Sequence, residues 1–197
     1  MLGIHSRTIK GPRRIAALWN ARSDLERLVA THRGPVVNKW KHYYEIYDRH
    51  FARFRDRDIT VLEIGIAGGG SLDLWRRYFG PKAKLVGVDI DPQCKRFEAP
   101  GTQVFIGDQS NTAFLERLAA EIGPIDILID AGSHHHAHQL ATFRALFRHI
   151  REDGIYCCED LHCSYEGFDG TADGAHASGR YVEFLKGLID EQNAWFW

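Results

Sequence analysis

Acids, histidines and closely spaced glycines cluster in this 197-residue chain in patterns suited to cofactor binding and proton transfer. The stretch Glu63-Ile-Gly65-Ile-Ala-Gly68-Gly69-Gly70-Ser71 sets an acid two residues ahead of a glycine run. Such glycines let the backbone pass close to a ligand, and the N–H groups that open the following helix attract negative charge. The spacing is near G-x-G-x-x-G, with Ala67 at the middle glycine position. A carboxylate at Glu63 would repel a dinucleotide's pyrophosphate but favour a cationic, amine-bearing cofactor. The pattern therefore points to S-adenosylmethionine ahead of NAD.

Further acids stand at or just beyond the ends of the later apolar runs. Asp89 closes a second apolar run, where a carboxylate can accept hydrogen bonds from both ribose hydroxyls. Gly107-Asp108-Gln109-Ser110 follows a third run, and Asp108 can accept from an adenine amino group or cap a helix. The fourth run ends Asp130-Ala131-Gly132-Ser133-His134, and the fifth ends Glu159-Asp160-Leu161-His162. Adjacent parallel strands would bring these two ends together. Acid and imidazole at one edge suit either proton abstraction or a divalent cation. The cluster 157–163 lacks the paired cysteine spacing of a zinc site. His134 and His138 are four apart, but no zinc-protease glutamate follows.

The elements that must carry these groups are legible in the hydrophobic pattern. Short apolar runs at 60–64, 85–90, 103–106, 126–130 and 154–159 alternate with stretches of helical spacing. This predicts an α/β fold, a Rossmann-like parallel sheet with helices on both faces. Residues 1–58 read as a helical segment packing on the core, and 59–197 as the cofactor-binding domain. In the first segment Trp40, Tyr44, Tyr47, Phe51 and Phe54 recur at helical spacing. That stripe either packs on the core or partly caps the mouth of a site.

Composition narrows the function further. The chain is 44% hydrophobic and 12% aromatic, which suits a packed globular domain. Its 25 Lys and Arg against 26 Asp and Glu argue against a nucleic-acid binder, although residues 1–34 are locally basic. No apolar run is long enough for a membrane span, and the basic start lacks the apolar stretch of a secretory signal. Cys94, Cys157, Cys158 and Cys163 form no regular disulfide framework, so a reducing, cytoplasmic setting is expected.

Taken together, EIGIAGGGSL (63–72), VGVDIDP (86–92), GDQS (107–110), DILIDAGSH (126–134) and EDLHCSYEGF (159–168) resemble class I S-adenosylmethionine-dependent methyltransferases. Within that group the resemblance is to the macrolide-sugar, mycinamicin-type O-methyltransferases, and it takes in NKWKHYYEIYDRHF (38–51). The glycine motif is generic; the combination of the GDQS, GSH and EDL segments is more specific. The resemblance implies in-line methyl transfer to a hydroxyl of a sugar or glycosylated natural product. It implies His134 as general base, and Glu63, Gly65, Gly69, Ser71, Asp89, Asp108, Gln109 and Asp130 around S-adenosylmethionine. It also implies Mg2+ held by Glu159 and Asp160, with a third carboxylate directly before Gly132. Ala131 stands there instead, which should weaken the metal unless water or Asp130 fills the gap.

Other expectations concern the remaining segments. The class I pattern ends in two further strands that have no counterpart before residue 197, so a bare sheet edge and a homo-oligomer are plausible. The terminal Trp195-Phe196-Trp197 should pack against something. Tyr165 and Phe168, in SYEGFDG (164–170), suit either a lid over the acceptor or a surface loop. The rival readings are an NAD-dependent oxidoreductase and a non-catalytic relative with a degenerate metal site.

Overall fold

The computed structural model describes residues 19–165 and 179–196. The first 18 residues of the basic segment, the expected lid from residue 166 with Phe168, and Trp197 lie outside them. Five strands form one sheet: β1 (Thr60–Ile64), β2 (Lys84–Asp89), β3 (Thr102–Ile106), β4 (Ile125–Asp130) and β5 (Ile150–Cys158). The order is β3-β2-β1-β4-β5, and every pairing is parallel. The strands coincide closely with the apolar runs, because a strand covered on both faces must be apolar throughout.

Two helices precede the sheet, α1 (Asp24–Thr31) and α2 (Tyr43–Phe51), and α3 (Gly70–Phe79) follows β1. Further along are α4 (Thr112–Ile122), α5 (His136–Leu146) and α6 (Tyr181–Asn193). After Pro92 the chain forms a 3-10 segment, Pro92–Phe97, in place of a full helix. Side-chain caps set several starts: Ser23 accepts from the N–H of Glu26, and Asn111 from that of Phe114.

Side chains alternate across a strand, so the two faces of the sheet have separate cores. On one face Val61 and Ile129 pack with Tyr44, Tyr47, Phe51 and Phe54 and with Trp75, Tyr78 and Phe79 of α3. Leu62, Ile64, Val86, Val88 and Leu128 point the other way, onto Leu115, Leu118, Ala145 and Leu146 of α4 and α5. The aromatic stripe thus divides. Its buried members reinforce the first core, while Trp40 lies before α2, remains 37% exposed and reaches the site. Trp195 is 75% exposed.

Candidate active site

Strand order reverses between β1 and β4, the place where an open α/β sheet leaves a crevice beyond its strand ends. The crevice holds two adjoining cavities, of about 280 Å³ and about 210 Å³, with Gly65, Ala67, Ala131 and Gly132 lining both. Gly65 has φ +85°, and a Cβ there would lie 2.3 Å from the carbonyl oxygen of Ala131. Only glycine permits that turn and that contact with the neighbouring strand. A Cβ on Gly68, by contrast, would meet nothing within 4 Å. Helix α3 begins just beyond, after Gly69, with no side-chain cap on its first N–H groups. Those donors and the open backbone fit the carboxylate end of an amino-acid-bearing cofactor.

The larger cavity is lined by Asp89, Asp108 and Gln109, among others. Asp89 also shapes the turn: its Oδ2 accepts from the N–H of Ala67 at 2.8 Å, and its Oδ1 from that of Asp91 at 3.0 Å. Asp108 is exposed and accepts from the N–H of Ser110, a bond that holds its carboxyl below the usual range. Gln109 is buried and ties three segments together. It donates to Asp130 Oδ1 at 2.7 Å and Thr142 Oγ1 at 3.0 Å, and accepts from the N–H of Ser133 at 2.8 Å.

Three residues expected around the cofactor stand elsewhere. Asp130 is fully buried and lines neither cavity; it faces the α4–α5 side, accepting from Gln109 and from the Tyr156 hydroxyl at 3.1 Å. Gly69, at φ +74°, lies under the Phe97 ring, where a Cβ would come within 2.5 Å. Glu63 is also fully buried, facing the helical N-terminal layer, with Oε2 unpartnered among the described residues. Ser71, Gly65 and the backbone at Gly68 do line the smaller cavity.

Burial pushes the Asp130 carboxyl up to about 7, against the opposing hydrogen bonds from Gln109 and Tyr156. A carboxyl raised above its unfolded value near 3.9 stabilises the fold in acid and loses that contribution as pH rises. Stability should therefore fall by about 3–4 kcal/mol between about pH 4 and 7 on this group's account. Asp130→Asn should remove that slope, as read from urea unfolding across the same pH range.

The smaller cavity gathers His134, Glu159 and Asp160 from the ends of β4 and β5. His134 (φ +59°) and Asp160 (φ +52°) both adopt the left-handed conformation, uncommon for residues other than glycine. They face each other, with Nε2 of His134 3.2 Å from Oδ2 of Asp160 and 3.3 Å from the carbonyl of Ala131. Both neighbours are acceptors, so Nε2 carries the proton in the neutral ring and Nδ1 is left as the basic nitrogen. Oδ1 of Asp160 accepts from the Trp40 indole at 2.8 Å and the Tyr43 hydroxyl at 3.0 Å.

Lys39 was not singled out from the sequence. Its ammonium is buried and donates to Oε1 of Glu63 at 2.9 Å and to Oε1 of Glu159 at 2.6 Å. Tyr47 also donates to Glu159. Burial opposes the charge on Lys39, yet the two carboxylates hold the ammonium protonated beyond its ordinary range. Burial pushes Glu159 up, with Lys39 pulling against it. The available signal was the spacing Lys39, Tyr43, Tyr47, one residue every four along the way into α2.

Among known proteins, a tetracenomycin rhamnosyl 3'-O-methyltransferase of Streptomyces olivaceus is 39% identical over 186 residues, spanning 90% of this chain and 47% of that protein. The mycinamicin VI 2''-O-methyltransferase of Micromonospora griseorubida is 37% identical over 184 residues, or 89% of this chain and 46% of that protein. The chain is a homologue of the macrolide-sugar O-methyltransferases. It shares their Rossmann-like methyltransferase fold: MycE methyltransferase, solved with Mg, SAH and mycinamycin VI, superposes with a TM-score of 0.75 at 38% identity. That match covers 86% of this chain and 46% of MycE. The chain thus spans about half the length of the curated relatives it matches. No protein-family model matches it. Among the described residues no helix is long and apolar enough to cross a membrane.

Proposed function

We propose that the chain binds S-adenosylmethionine and methylates a hydroxyl of a sugar or glycosylated small molecule, with His134 as general base. The observation that carries this reading is the junction of the two cavities at Gly65, Ala131 and Gly132. Asp89, Asp108 and the glycine turn line one side of the crevice, and His134 lines the other. The identity to sugar O-methyltransferases supports the same acceptor class.

Bound S-adenosylmethionine would supply an electrophilic methyl group. The chain's own part is to hold that cofactor and to manage one proton. Asp89 offers its remaining lone pairs to the ribose, and the open N-terminus of α3 offers N–H donors to the carboxylate. Nδ1 of His134 takes the acceptor's proton while Nε2–H stays on Asp160. All four cysteines are free thiols, which suits the reducing cytoplasm.

Calorimetric titration with S-adenosylmethionine and, separately, its demethylated product tests the reading. One-to-one binding is expected, weakened about 10- to 100-fold in Asp89→Ala as a charge-assisted hydrogen bond is lost. No binding of either compound would overturn the proposal.

A further inference from the structure

The magnesium implied by the resemblance does not fit the donors present. A divalent ion of this size takes oxygen ligands in near-octahedral array and depends on carboxylate charge. At the edge of β4 the residue that should supply the third carboxylate is Ala131, whose methyl packs toward the same core as Tyr47. Glu159 already accepts from an ammonium and a phenol. Asp160 already accepts on Oδ1 from Trp40 and Tyr43, and its Oδ2 faces His134. Among the described residues no group of three His, Cys, Asp or Glu is placed to hold a metal ion.

We propose that no divalent ion holds the two acids in this chain: Lys39 supplies the fixed positive charge on Glu159, and Asp160 is a positioning residue for His134. The two adjacent acids then have separate duties. Strand alternation sends Glu159 to the face of the N-terminal helical layer, where Lys39 enters from residues just before α2. Asp160, one residue on and in the left-handed conformation, turns back toward the end of β4. There it fixes the ring of His134 and its tautomer, while Trp40 and Tyr43 fix Asp160. The ion pair of Lys39 with Glu63 extends the same arrangement to the floor of the glycine turn. Proton removal is left to His134 with no metal to acidify the acceptor. This inference rests on the methyltransferase reading for its catalytic meaning, but the metal site itself can be tested without it.

The probe is Mn2+ alone, followed by loss of its free-ion electron paramagnetic resonance signal on titration with the full chain. The wild type is expected to leave the signal unsaturably unchanged, and Ala131→Asp to gain saturable binding. Saturable binding of one Mn2+ per wild-type chain, abolished in Asp160→Asn, would overturn the inference. Should Ala131→Asp fail to fold, the wild-type titration decides by itself. A second readout is methyl transfer to a glycosylated macrolide in EDTA and in Mg2+. Equal rates are expected, and a rate that collapses in EDTA and returns with Mg2+ would overturn the inference. Binding of the demethylated cofactor, measured on the same sample, separates this outcome from failure of the methyltransferase reading.

Discussion

Lys39→Met is expected to destabilise the fold by about 3–5 kcal/mol at neutral pH, the usual cost of stripping one partner from a buried ion pair. The reason is geometric. Glu63 and Glu159 are both buried, and the ammonium of Lys39 bridges one oxygen of each. Methionine fills a similar volume but leaves two carboxylates facing each other across a dry interior, with Tyr47 as the remaining donor to Glu159. The loss should depend on pH with a definite sign. Burial already raises Glu159, and without Lys39 only the Tyr47 hydroxyl pulls against that rise. A carboxyl raised in the folded state stabilises in acid and ceases to do so as pH rises through its folded value. The deficit of the variant should therefore shrink toward acid pH and widen toward neutrality. Urea unfolding of both proteins at several pH values measures this directly; a deficit independent of pH would contradict it.

His134→Ala should lower the methyl-transfer rate by about 10²–10⁴-fold, the range for loss of a general base. Affinity for the demethylated cofactor should be unchanged. His134 stands at the acceptor side of the crevice, while Asp89 and the glycine turn line the cofactor side. Alanine also keeps any left-handed strain at position 134 comparable, since both residues carry a Cβ. The fall should appear in kcat, because the proton is transferred only as the oxygen attacks. Single-turnover kinetics with a glycosylated macrolide, alongside calorimetry, separate the two effects. Equal loss of cofactor affinity would show that the residue supports the pocket and not the chemistry.

Asp130 illustrates how a correct motif can mislead about a role. Its position at the end of β4 suggests a cofactor contact, but strand alternation sends its side chain to the α4–α5 face. There it anchors Gln109, and through Gln109 the N–H of Ser133, next to the proposed base. Gly69 is similar: at φ +74° it lies under the Phe97 ring, which leaves no room for a Cβ.

The amino-acid sequence by itself determined the five strands and most of the helices between them, because apolar runs and helical periodicity are local properties of the chain. It also placed the glycine turn, Asp89 and His134 at strand ends, since the groups that follow each run are read directly in order. What only the tertiary structure decided was the company these groups keep. Lys39 meets Glu63 across 24 residues and Glu159 across 120, and no local pattern pairs them. The meeting depends on β4 lying between β1 and β5, and on alternation turning both glutamates toward one helical layer. Burial then leaves those two carboxylates in need of a cation, and the fold supplies it from the chain itself.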